Sequence, residues 1–194
     1  MDIRVEKTRK SIVNAFLALR ARKPLEKIRV KELCEQARIN KSTFYDHYQD
    51  IYDLSDTLET EVVRSVIAGL SVPERLLQEP ESFTRELFLA YLSQDSLIRI
   101  LFSGNRSSLL ASKIETAIKD MLFDKYPAYR DDPAVNICIS YSVYGGYHAF
   151  FENRRYGDSQ VIEIVGRAAA QTVGLSGTLM IGEETESRGG TSGA

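Results

Sequence analysis

From Leu54 onward apolar side chains recur at every fourth position, Leu54, Leu58, Val62 and Val66, and a stripe with that spacing shares one face only in an α-helix. It predicts a long helix from about 51 to 70. The same spacing runs through most of the chain. Residues 3–22 place Ile12, Phe16 and Leu19 on one face and end at Lys23-Pro24, where proline stops the helix. Pro73 and Pro80 bracket a connector, and Phe83, Leu87, Ala90 and Tyr91 mark a helix near 81–93. A short apolar helix at 97–102 breaks at Ser103-Gly104-Asn105, and Leu110, Ile114, Ala117, Ile118, Met121 and Leu122 mark another at 106–126, closed by Pro127. Strand signal is almost absent, so the expected class is all-α, with about nine helices.

Two C-terminal segments differ from the others. From about 132 to 155, Ile139, Val143, Gly146, Tyr147 and Phe150 form one stripe, and Ile137, Tyr141, Tyr144 and Phe151 lie beside it. A helix apolar on two faces needs cover on both. The last helix, about 158–174, carries Val161, Val165, Ala168, Ala169 and Thr172. Its small residues, with Gly145, Gly146 and Ala149, permit the close approach of a self-complementary four-helix dimer contact. Residues 177–194 are rich in Gly, Ser, Thr and Glu without periodicity, the composition of a disordered tail.

The segment Val30 to Tyr48, VKELCEQARINKSTFYDHY, carries the functional signal. Val30, Leu33, Cys34 and Ala37 form one buried stripe about two turns long. The pattern breaks at Arg38-Ile39-Asn40, where Asn40 is placed to cap a second helix opening at Lys41. In that helix Phe44 and Tyr48 point inward, which leaves Lys41, Ser42, Thr43, Tyr45 and His47 outside. Those are hydrogen-bond donors of the kind that meet phosphate oxygens and base edges. A solvated face normally mixes Glu with Lys, whereas here Asp46 is the only acid between Asn40 and Tyr48.

The run Ala37 to Tyr48, followed by Ile51, Asp53 and Leu54, resembles the helix-turn-helix signature of TetR/AcrR-type transcriptional regulators. The resemblance implies a three-helix DNA-binding head and a larger helical domain for dimerisation and inducer binding. By position it implies that Lys41 and Ser42 meet base edges with Thr43 beside them, that Tyr45 and His47 meet phosphate, and that Asn40 opens the recognition helix. Three positions depart from the pattern. Arg38 stands where a turn glycine is usual, so the turn either avoids the left-handed region or bears a cost of about 1 kcal/mol. Arg29 replaces a Ser or Thr cap and could reach a phosphate instead. Ile51 replaces a lysine, which removes one expected phosphate anchor.

Charge agrees with that division. The whole chain carries −2, but residues 1–50 hold 12 basic and 7 acidic side chains, +5, and the remaining 13 and 20 give −7. A basic end on an acidic body is what a chain meeting phosphate at one end requires. Arg4, Lys7, Arg9 and Lys10 crowd the start of the first helix, where the helix dipole disfavours them, so DNA backbone and plain solvation are both open readings.

Cys34 and Cys138, with no CxxC, fit buried thiols in a reducing compartment, although sequence leaves a long-range disulfide open. No leader pattern occurs at the start and no apolar run approaches about 18 residues, so a cytoplasmic protein without a membrane span is expected. Catalysis has little material. The only histidines are His47 and His148, Asp131-Asp132 lies beside a proline, Glu183-Glu184 lies in the tail, and no phosphate-binding loop follows a strand.

Tyr91, Phe102, Tyr141, Tyr144, Tyr147, His148 and Phe151 are the aromatic or polar-tipped residues of the body helices, a mixture that lines small-molecule cavities and equally fills cores and dimer contacts. The expected organisation is a DNA-binding domain at 1–50, a regulatory and dimerisation domain at 51–176 and a tail at 177–194. The expected function is that of a homodimeric repressor, not an enzyme, on a palindromic double-stranded operator. It would pair through its last two helices, need no cofactor or metal, and be released by a small-molecule inducer in its C-terminal domain. The alternative is an activator or a helical interaction module whose body binds a partner protein.

Overall fold

The computed structural model describes residues 3–70 and 74–187, with side chains for 4–70 and 74–174. The described residues are all-α and contain no strand. Ten α-helices follow in order: α1 Ile3–Arg20, α2 Val30–Ala37, α3 Lys41–Tyr45, α4 Ile51–Ala68, α5 Arg75–Gln78, α6 Pro80–Ser93, α7 Asp95–Leu101, α8 Leu109–Lys125, α9 Pro133–Asn153 and α10 Asp158–Ser187. Short 3-10 turns occur at Leu25–Lys27, Gly104–Arg106, Pro127–Tyr129 and Arg154–Tyr156.

The chain divides into two compact units. The first takes the chain up to Val63 together with Gln94–Leu110, and the second takes Arg64–Ser93 together with everything from Ala111. The first unit is therefore larger than the segment 1–50 expected from the helix-turn-helix pattern, and it is discontinuous in sequence. Its core joins Ile12 and Phe16 of α1, Leu33 of α2, Phe44 of α3, Leu54 of α4 and Leu101 of α7, none more than 1% exposed.

Two buried charges explain why α7 and the following turn belong to this unit. Arg20, 4% exposed, donates from Nη2 to the carbonyls of Ser103 at 2.8 Å and Leu101 at 3.4 Å. Those carbonyls lie at the C-terminal end of α7, where orphan oxygens and the negative end of the helix dipole both favour a cation. Glu59 of α4, fully buried, receives Arg106 of the Gly104–Arg106 turn and also accepts from Ser55 Oγ at 2.7 Å. Ile51 is 5% exposed and adds to the core of the same unit.

In the second unit α10 packs along both α6 and α9. Gly166 sits close against α6, where a Cβ would stand 3.2 Å from the backbone oxygen of Glu81. Asp132 caps α9: its side chain accepts from the Val135 amide at 3.0 Å, and Pro133 fills the first helical position. Phe88 and Phe150 stack with ring centroids 4.6 Å apart inside the unit.

In the second unit, helix boundaries differ from expectation in two places. The four-residue α5 has no apolar repeat long enough to announce it. The backbone of α10 continues to Ser187 instead of ending near 174, so residues 177–187 of the expected tail are helical and 188–194 lie outside the described residues. No proline follows Pro133, so nothing in that stretch forbids helical continuation. Pro73 also lies outside the described residues.

Candidate nucleic-acid interface and body cavity

α2 ends in a paired reverse turn. The Arg38 amide donates to the Glu35 carbonyl at 3.3 Å and the Ile39 amide to Cys34 at 3.0 Å, the two bonds of a Schellman cap. That cap demands a left-handed residue, and Arg38 adopts φ 56, ψ 47. It is the only non-glycine residue at positive φ among the described residues. The turn thus takes the costly option of the two that the sequence left open.

α3 follows after Ile39 and Asn40. Asn40 holds the N-cap position with extended backbone, but its side chain makes no cap bond, which corrects the expected role. Its carbonyl accepts the Phe44 amide at 3.2 Å and the Cys34 thiol at 3.9 Å. The regular helix ends at Tyr45, with Asp46 and His47 in a turn, two residues earlier than expected. Phe44 is fully buried and its ring meets Tyr45 edge-on at 5.4 Å and Tyr48 at 5.9 Å. This aromatic seat fixes the rotation of α3. Asn40, Lys41, Ser42 and Tyr45 are exposed, and Thr43 and His47 are half-buried beside them. Arg29 is exposed at the N-cap of α2 and makes no cap bond.

Two contributors were not read from the sequence. Asp50 Oδ1 accepts the amides of Tyr52 at 2.7 Å and Asp53 at 2.8 Å, and Asp53 Oδ2 accepts the Gln49 amide at 2.8 Å, a pair of carboxylates that caps the start of α4. The Asp-x-x-Asp spacing was its signal. The cap leaves Tyr52 53% exposed on the first turn of α4. Of the basic residues on α1, Arg9 is engaged with Glu61 at 2.6 Å, which keeps its guanidinium pKa above the usual value. Lys7 and Lys10 are exposed.

The aromatic set named on the body helices separates into three groups. Tyr91, Tyr147 and Phe151 line one cavity, with Phe83 of α6, Ile118 of α8 and Ser142 of α9. Tyr141 and Tyr144 are 68% and 46% exposed, and His148 is also exposed; none of the three lines that cavity. Phe102 is 5% exposed and belongs to the first unit. The Tyr91 and Phe151 rings meet edge-on at 5.6 Å, and burial pushes the Tyr147 phenol pKa up. No family model matches this chain, and no curated protein matches it.

Cys34 and Cys138 are free thiols, and burial pushes the Cys34 pKa up. Among the described residues no three His, Cys, Asp or Glu side chains are grouped to hold a metal ion, and no helix is long and apolar enough to cross a membrane.

Proposed function

We propose that the chain is a sequence-specific DNA-binding transcriptional regulator of the TetR type, a homodimeric repressor that leaves its operator when a small molecule occupies the second unit. One observation carries the reading. α3 is seated by fully buried Phe44 and turns Lys41, Ser42 and Tyr45 outward, directly after the tight turn that ends α2. Donors on such a helix suit a major groove, and a pair of them suits half-sites about 34 Å apart. Exposed Lys7 and Lys10 would add phosphate contacts.

The dimer part is supported by α9 and α10. Ile137, Tyr141 and Tyr144 on α9 and Ile164 on α10 are 67%, 68%, 46% and 51% exposed, an apolar set that a single chain leaves in water. A second copy would cover it. The same face favours the second reading, in which a different protein docks there.

Nuclease footprinting of the full-length protein on DNA upstream of its own gene tests the proposal. A protected palindrome with two half-sites is expected. Absence of any protected sequence at low salt overturns it and leaves the partner-protein reading.

A further inference from the structure

The cavity of the second unit is built almost entirely of hydrocarbon and rings. Its lining contains no Lys, Arg, His, Asp or Glu, and apart from the tyrosine phenols its polar side chains are Thr84 and Ser142. Ser142 is unusual among them. Its Oγ is buried, and among the described residues it has no hydrogen-bond partner. A helical serine ordinarily returns its hydroxyl to a carbonyl of the preceding turn, as Ser140 does to Asn136 at 2.9 Å. An unmade bond on a buried hydroxyl costs about 1–3 kcal/mol. Ser142 also lines a second, smaller apolar pocket that shares Leu76, Ile118 and Val143 with the first, so the residue borders both spaces.

We infer that this cavity is a binding site for a small, neutral, largely apolar molecule bearing one hydrogen-bonding group, such as a phenol or an alcohol, with Ser142 Oγ as its polar anchor. Three properties define the class. Charge is excluded because burying an ion against this lining offers no counter-ion. Rings are favoured because Phe83, Tyr91, Tyr147 and Phe151 present aromatic faces and edges. Size is limited: the cavity measures about 60 Å³, room for roughly four to six water-sized groups. The inference deepens the proposed small-molecule control, and its regulatory meaning rests on that reading.

Titration calorimetry on the full-length protein, without DNA, tests it with phenol, benzene and benzoate as probes. Phenol and benzene are expected to bind at millimolar concentration and benzoate is not. In Ser142→Ala, phenol is expected to weaken about tenfold while benzene stays within about twofold, the loss of one hydrogen bond. That variant removes an unpartnered buried hydroxyl, so its fold is at least as stable as the parent's. No heat from phenol or benzene, benzoate binding as tightly as phenol, or an unchanged phenol affinity in Ser142→Ala would each overturn the assignment. A failed footprint leaves the calorimetry standing, and a failed titration leaves the footprint standing.

Discussion

Arg106 grips both carboxylate oxygens of Glu59, with Nε to Oε1 at 2.9 Å and Nη2 to Oε2 at 2.5 Å, across 47 residues of sequence. Glu59 has no exposed side-chain surface. Removing one member of a buried pair strands the other charge, so Arg106→Ala is expected to destabilise the first unit by about 3 kcal/mol. A lowered urea midpoint measures it. The double variant Glu59→Leu, Arg106→Met, which strands no charge, is expected to recover most of the loss. Equal stability of Arg106→Ala and the parent would show that the pair holds nothing.

Arg38 in its left-handed turn predicts the opposite sign. Arg38→Gly relieves the Cβ conflict at φ 56, a gain of about 1 kcal/mol that is partly offset by the freer unfolded chain. Calorimetric melting is expected to rise by at most about 2–4 °C. A lower melting temperature would mean that the Arg38 side chain contributes more than its backbone costs.

Contact type on α3 is readable from salt dependence. Lys41→Ala, which removes a positive charge, is expected to weaken operator binding and to lower the slope of log affinity against log salt by up to about one unit, whereas Tyr45→Ala, which removes a neutral hydroxyl, is expected to weaken binding with the slope unchanged. A folded double variant with parental affinity rules out this use of α3.

Gly145 separates the chain's own packing from association. A Cβ at Gly145 meets nothing within 4 Å in the single chain, so Gly145→Leu is expected to leave the monomer fold intact. If α9 closes on a second copy, the same change adds bulk to the contact and shifts the mass measured by light scattering towards monomer. Tyr141→Asp is expected to do the same by placing a charge on the face. A parental mass for both variants removes α9 from the interface.

Acid stability has a local source in the second unit. The Lys125 ammonium, the Glu74 backbone amide and the Tyr126 hydroxyl hold the Glu74 carboxyl at about 2, below its usual 4.5. A depressed folded pKa means that the contribution is complete above about 4.5 and is lost as pH falls towards 2. The stability difference between the parent and Lys125→Met is therefore expected to shrink over that interval. A difference independent of pH would place the effect of Lys125 elsewhere.

Helix identity was legible wherever apolar spacing was long and regular, as in Leu54 to Val66, and less so over the short pair Phe44 and Tyr48, both buried although the helix ends at Tyr45. Spacing describes which residues share a face and says nothing about what covers it. Tyr141, Tyr144 and His148 share a helix with Tyr147 and Phe151, but a few steps around that helix separates a cavity from open solvent. Long-range partners were equally hidden. Nothing local at Arg20, Glu59 or Arg106 announces a charge that another segment will bury, so Gln94–Leu110 was assigned to the body. Asn40 shows the converse limit: the residue type was right for a cap and the position was occupied, but the side-chain bond was not made, because propensity ranks choices without fixing a rotamer.

The discontinuity of the first unit sets an order of events at the ribosome. When the chain has been made only as far as Val63, Arg20 has the Lys23 carbonyl but lacks those of Leu101 and Ser103, and Glu59 lacks the Arg106 guanidinium, since these three partners lie between Leu101 and Arg106. An N-terminal fragment carrying the whole helix-turn-helix is therefore an incomplete folding unit. The first unit can close only after about two-thirds as much chain again, residues 64–106, has been synthesised, so its core matures together with the second unit's first helices.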